Sequence, residues 1–195
     1  MTDQDLKSRI KQVAVDHFDK HGYYGATIRN IAADVGCSLP MVYYYYKSKQ
    51  ELFHEIIKKD YFQLIAQKAQ ESWSEDILEL YTRYVCDLQH LSDHERKIYR
   101  LGVKVYLNFD GDEELQSVMD AWEKTIQPRH EKLVLPYLKG MPNGPAVVRT
   151  LMHLLENLVE SVVVKNRALN EAEVREEIAV VLSQISKNNQ MQTQK

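Results

Sequence analysis

Four tyrosines stand side by side at residues 43–46, within the stretch "SLPMVYYYYKSK" that runs from Ser38 to Lys49. A phenol offers a flat apolar ring to a base or a methyl group and a hydroxyl to a phosphate oxygen. Consecutive helical residues lie about 100° apart, so four in a row sweep most of a helix circumference. With Val42 set inward, Tyr46 falls on the same side and packs, while Tyr43 and Tyr45 lie on the two flanks. Tyr44 points outward, with Pro40 on its face. The flanking hydroxyls of Tyr43 and Tyr45 are placed to meet phosphates, although ordinary packing at a helix junction serves Tyr45 equally well. Leu39, Pro40, Met41 and Tyr44 can read little except thymine methyl groups and DNA shape. Arg29, in the first turn of the preceding helix, is the candidate for a bidentate contact to guanine, with a phosphate contact as its alternative.

Those side chains need two short helices and a tight turn to hold them. Thr27 stands as an N-cap before Ile28–Val35, and Gly36 ends that helix. Ser38 is expected to cap the next one, with Pro40 in its first turn. Two helices at 27–35 and 38–45 joined by "GCS" have the dimensions of a helix-turn-helix. Ahead of them, Leu6, Ile10, Val13, Ala14 and Phe18 mark a first helix ended by Gly22. Behind them, Ser48 and Glu51 read as a capping box opening a long fourth helix. Apolar spacing then marks helices over 77–91, 98–109 (ended near Gly111), 115–126, 145–166 and 171–187. Pro128 is expected to kink or break the helix it sits in, and Asn170 to open the last one. "LSDH", residues 91–94, reads as a break, and "KGMPNGP" is a loop. No strand-like alternation appears. The expected fold is all-α, about nine helices: a three-helix DNA-binding domain over 1–50, then a helical effector-binding and dimerisation domain over 51–195.

Composition agrees. The chain has 195 residues, 44% hydrophobic and 27% charged, with 7 glycines and only 5 prolines, which is too few for a turn-dense β protein. Net charge is −3, so the chain is not basic throughout. Residues 20–59 nevertheless hold Lys20, Arg29, Lys47, Lys49, Lys58 and Lys59 against Asp34, Glu51 and Glu55, a local surplus able to face a polyanion. Cys37 and Cys86 make no disulfide framework, and the charged N-terminus lacks a signal-peptide core. The longest apolar run, "LMHLLENLVESVVV", is interrupted by His153, Glu156, Asn157 and Glu160, so no membrane partner is expected. A cytoplasmic protein is the expectation.

The run Thr27-Ile28-Arg29-Asn30-Ile31-Ala32-Ala33-Asp34-Val35-Gly36-Cys37-Ser38, followed by Val42-Tyr43-Tyr44-Tyr45-Tyr46-Lys47-Ser48-Lys49-Gln50-Glu51-Leu52, resembles the DNA-binding signature of TetR-type transcriptional regulators. The similarity begins near Ile10, includes Ala14, Phe18, Gly22 and Tyr23, and covers roughly the first 55 residues. Cys37 stands where Val is common in that family, and Tyr46 where Phe is common. Both suit a buried site. The resemblance implies phosphate contacts from Tyr43 and Lys49, with Thr27 and Ser38 helping at their helix starts. Placement of Lys49 at a helix N-terminus, where an anion is already favoured, agrees with that role.

In the second domain, the helix over 145–166 is apolar nearly all round and so needs partners on two sides. Leu151, Leu155, Leu158 and Val162, with Ile178 and Leu182 of the next helix, form the expected homodimer interface, an arrangement the family commonly uses. Tyr84, Tyr99, Tyr106, Trp122, His130, His153 and Asn157 combine apolar bulk with polar tips and are the candidate lining for an effector. His90 and His94 have i, i+4 spacing but no supporting metal frame, and no nucleophile elbow, P-loop or dinucleotide motif is present. No catalytic residue, metal or cofactor is expected. The expected function is a homodimeric repressor of operator DNA, released by a small apolar or aromatic effector. The rivals are an effector-free architectural DNA-binding protein and a helical enzyme or sequestering protein with a vestigial helix-turn-helix.

Overall fold

The computed structural model describes residues 3–107, 112–138 and 143–192, with side chains as far as residue 183. Among these residues every regular element is helical. In chain order they are α1 (Asp3–Gly25), α2 (Ile28–Val35), α3 (Leu39–Tyr45), α4 (Lys49–Glu55), α5 (Phe62–Glu71), α6 (Ile77–Asp87), α7 (Asp93–Tyr106), α8 (Glu113–Val134), α9 (Gly144–Val163) and α10 (Glu171–Gln192). A π-helical stretch, Ile56–Tyr61, joins α4 to α5 without a break, so the ten α segments make nine rods. Two 3₁₀ turns, Leu88–His90 and Leu135–Leu138, follow α6 and α8. The all-α expectation holds.

Local details differ from the sequence reading in four places. Gly22 interrupts α1 with φ 70° and ψ 172°, yet the chain resumes helical turns to Gly25. Ser48 does accept from the Glu51 N–H at 3.0 Å, but the Glu51 carboxylate reaches back to the N–H of Lys47, at 2.6 Å, rather than to Ser48. The complete capping box lies instead at Ser92 and Glu95, so "LSDH" is a helix start. Finally, α8 continues past Pro128 without a break. Gly111, Phe109, residues 139–142 of the "KGMPNGP" loop and the Ile185 side chain lie outside the described residues.

The chain divides into two compact units, Met1–Ala66 with Leu91–Met119, and Gln67–His90 with Asp120–Lys195. In the first, Ile10, Ala14 and Phe18 of α1, Ile31 of α2, Val42 of α3 and Leu52 and Phe53 of α4 are buried together. Phe18 meets Phe53 edge-on with ring centroids 4.9 Å apart, and Tyr23 lies 5.0 Å from Phe53. Helix α7 packs on α1, where Arg100 donates to both carboxylate oxygens of Asp19 at 3.0 and 2.6 Å and Lys97 donates to Asp16 at 2.8 Å. His54 of α4 donates to Asp112 at 2.9 Å. Burial pushes the Asp112 carboxyl up, but the hydrogen bonds from His54 and the Leu115 N–H outweigh it and hold the group below its ordinary range.

In the second unit α10 lies against α6 and α9. Tyr81, Thr82 and Val85 of α6, Leu151, Leu155, Leu158 and Val162 of α9, and Val174, Ile178 and Leu182 of α10 are all buried. Arg175 of α10 donates to Glu79 of α6 at 2.7 Å.

The π-helical stretch and α7 approach each other closely. A Cβ built on Gly102 would lie 2.3 Å from the ring of Tyr61, which is itself buried. Gly102→Ala gains up to about 1 kcal/mol of helix propensity but must displace a packed ring, which costs about 1–3 kcal/mol. A net lowering of the urea midpoint is expected, partly restored by adding Tyr61→Leu. An alanine variant more stable than the parent would contradict this packing.

Candidate nucleic-acid interface

The turn between α2 and α3 is built from local bonds. Thr27 has extended backbone, and its hydroxyl oxygen accepts from the Asn30 N–H at 3.2 Å. At the other end Gly36 adopts φ 76°, and its N–H donates to the carbonyls of Ala32 and Ala33. That left-handed position strains any residue with a Cβ, so the glycine sets the angle at which the chain enters α3. Ser38 occupies the N-cap position of α3 but makes no side-chain capping bond, contrary to the expectation from sequence.

Helix α3 ends at Tyr45, so three of the four tyrosines are helical and the fourth is its C-cap. Val42 and Tyr46 are buried, at 0% and 1% exposure, as their shared side of the helix implied. Tyr46 has the Lys7 ammonium over its ring and no hydrogen bond to its hydroxyl, and burial pushes that phenol above its ordinary range. On the outer side, Tyr43 is 47% exposed and Tyr44 73%, with Met41 and Pro40 exposed beside them and Leu39 half-buried. Thr27, Arg29 and Ser38 are exposed as well. Tyr45 is half-buried, and its hydroxyl donates to the carboxylate of Asp3 in the first turn of α1.

Lys49 has a structural task. Its ammonium donates to the carbonyl oxygens of Tyr23 at 2.7 Å and Ala26 at 3.0 Å, and lies 4.5 Å from the centre of the Tyr23 ring. A cation in the first turn of α4 opposes that helix's own dipole, and the carbonyls beyond the Gly22 break offset the mismatch. One of its three N–H groups remains for a phosphate. Cys37 is half-buried, and burial pushes its thiol up, which favours inert packing over reactivity.

Residues proposed from sequence for an effector site are divided between the two units. Tyr99 and Tyr106 belong to the first unit, and Tyr84, Trp122, His130, His153 and Asn157 to the second. His153 and Asn157 are exposed, and Tyr99 is buried beside Tyr61. His130 accepts from the Tyr81 hydroxyl at 2.6 Å, and burial keeps the imidazole below its ordinary value. Leu151, Leu155, Leu158, Val162, Ile178 and Leu182 are buried within a single subunit, where their apolar surface already serves the core of the second unit. Among the described residues no group of His, Cys, Asp and Glu is placed to hold a metal ion, and no helix is long and apolar enough to cross a membrane.

Asp3 escaped the sequence reading, and Tyr23 entered it only through the family resemblance and not as a partner of Lys49. Asp3 lies 42 positions from the tyrosine it binds, and no periodicity links them. The break at Gly22 does leave carbonyls without helical partners, a weak signal that a donor is needed nearby.

Two short helices joined by a glycine turn, the second anchored on one side and exposed on the other, define a helix-turn-helix protein of the all-helical class. Residues 10–56 match the model of the family described as bacterial regulatory proteins, tetR family. Over 53 residues the chain is 42% identical to an HTH-type transcriptional repressor of Streptomyces coelicolor, a match covering 27% of this chain and 28% of that relative. Solved structures share the fold over nearly the whole length. A transcriptional regulator from Rhodococcus sp. RHA1 aligns with TM-score 0.69 at 15% identity, over 93% of this chain and 96% of that one. A regulator of the TetR/AcrR type from Aquifex aeolicus VF5 aligns with TM-score 0.64 at 22% identity, over 92% and 99%. The matched segment likens residues 10–56 to the segment that the tetR-family model describes, and the solved structures share the chain's fold.

The role of Lys49 has a direct test in the free protein. Lys49→Met keeps the aliphatic stem and removes two hydrogen bonds to backbone carbonyls, so urea denaturation should show a loss of about 1–3 kcal/mol without any DNA present. Unchanged stability would return Lys49 to a phosphate-binding role alone.

Proposed function

We propose that the protein is a homodimeric, ligand-responsive transcriptional repressor, acting on operator DNA in the cytoplasm. Residues 1–50 would bind the DNA, and residues 51–195 would carry dimerisation and the effector. The observation that carries this reading is the outward face of α3, where Pro40, Met41, Tyr43 and Tyr44 stand exposed beside Thr27 and Arg29 of the α2 start while Val42 and Tyr46 anchor the helix. Set in a major groove, α3 brings Leu39, Pro40, Met41 and Tyr44 to thymine methyl groups. Tyr43 donates its hydroxyl to a phosphate, helped by Thr27, Ser38 and the remaining N–H of Lys49. Arg29 reaches a guanine edge. Two such helices per dimer read half-sites one helical turn apart, about 34–36 Å.

Binding-site selection from random duplexes tests this. An inverted repeat with that spacing is expected, with Arg29→Ala relaxing the preference at one guanine per half-site by about 1–3 kcal/mol. No enrichment over the starting pool would refute the reading, and an unchanged logo for Arg29→Ala would remove the guanine contact.

For the dimer, α9 and α10 remain the proposed contact, through side chains the subunit core leaves uncovered. Met152 and Val159 are half-buried and Val180 is 54% exposed. Val180→Glu is expected to halve the sedimentation mass with the circular dichroism intact, whereas a charge at buried Leu158 would attack the fold itself. An undissociated Val180→Glu variant would move the interface elsewhere.

The effector is proposed to be apolar and ring-containing. In the second unit the half-buried, proton-poor His130 and the Tyr81 hydroxyl offer one oriented polar pair near aromatic and aliphatic side chains, which suits such a ligand better than a polyanion. Binding to one conformation must disfavour the other, so the same compound should raise the melting temperature and weaken operator binding. Stabilisation by polyanionic metabolites alone would contradict this choice.

A further inference from the structure

We propose that Asp3 and Tyr45 are positioning residues that set the ring of Tyr44, and that Tyr44 so held is the specificity-determining contact of α3 with a thymine methyl group. This rests on the DNA-binding reading above. Tyr44 is 73% exposed and, on a seven-residue helix, would ordinarily sample several rotamers. Here the ring of Tyr45 stands against it edge-to-face, with centroids 5.0 Å apart and planes at 81°. Tyr45 is in turn fixed at its far end, because its hydroxyl donates to the Asp3 carboxylate. The phenol is held from both ends, by its own backbone and by α1, and it presents a fixed wall to Tyr44.

Two consequences follow from the chemistry. A phosphate cannot approach the Tyr45 hydroxyl without meeting the charge of Asp3, so Tyr43, on the other flank, is the tyrosine that meets the DNA backbone. A ring ordered before binding loses less rotamer freedom on binding, so Tyr44 gains discrimination without added contacts. The hydrogen bond to Asp3, with burial second, pushes the Tyr45 phenol up to about 12, so it remains a donor throughout the neutral range.

The test uses the full chain and the selected operator, with each thymine of the half-site replaced in turn by deoxyuridine, which lacks only the methyl group. For the parent, one such replacement should weaken binding roughly two- to tenfold, and for Tyr44→Ala it should have no effect. Asp3→Ala and Tyr45→Phe should lose most of that discrimination, while Asp3→Asn, which retains an acceptor, should keep it. Asp3→Ala removes a negative charge from the DNA-facing side, so its affinity for unrelated DNA should rise as its selectivity falls, a pairing that simple loss of folding does not produce. Equal discrimination by Asp3→Ala, Tyr45→Phe and the parent would overturn the bracket. Indifference of the parent to every deoxyuridine would overturn the methyl contact. Titration of the free protein is read separately. Asp3→Ala should return the Tyr45 phenol toward its ordinary 10.0, and an unmoved titration refutes the bracket even if the chain binds no DNA at all.

Discussion

A helix of seven residues makes too few internal hydrogen bonds to hold itself in water, and α3 has only seven. It exists because Val42 and Tyr46 are buried on one side of it, in the core of the first unit, with α2 packed alongside. That single requirement decides the orientation of everything else on the helix. Once 42 and 46 face inward, 43 and 44 must face outward, and the glycine turn at 36 fixes the angle at which they do so. Recognition chemistry is therefore a by-product of anchoring.

The distribution of charge follows a similar logic. Basic residues in the middle of the chain are not a reserve for binding a polyanion, since Lys97 and Arg100 are committed to Asp16 and Asp19 of α1, and Lys58 is paired with Glu114. Lys49 is partly committed too, to the carbonyls beside the Gly22 break. What remains for nucleic acid near the turn is Arg29 and the exposed Lys47, together with hydroxyls and rings. In the DNA-binding role proposed above, the protein, with net charge −3, would rely on shape and neutral contacts more than on a broad basic surface, and its dependence on salt should be shallow.

Much of this was legible in the sequence, for physical reasons that apply locally. Caps, glycines and 3.6-residue spacing act over a few residues, so Thr27, Gly36, Val42 and Tyr46 could be placed from the sequence alone. Contacts over long separations leave no such trace. The docking of α7 on α1 through Arg100 and Asp19, the bond from Tyr45 to Asp3, and the commitment of Lys49 to Tyr23 and Ala26 each join residues with no periodic relation. The π-helical stretch at Ile56–Tyr61 was invisible because its residues are ordinary helix formers. The leucines of α9 are a different case. A helix apolar on most sides needs several neighbours, and α6 and α10 of the same chain supply enough of them to bury Leu151, Leu155 and Leu158.

The central claim is that the outer face of α3 lies on DNA bases. Photocrosslinking to duplexes carrying 5-bromouracil in place of thymine, followed by mapping of the linked peptide, tests it most directly. The crosslink is expected on the peptide that contains Met41 to Tyr44, at a thymine within the half-site, and should vanish with Tyr44→Ala while Tyr43-dependent binding persists. Crosslinks confined to α7, α9 or α10, with none on α3, would contradict the account.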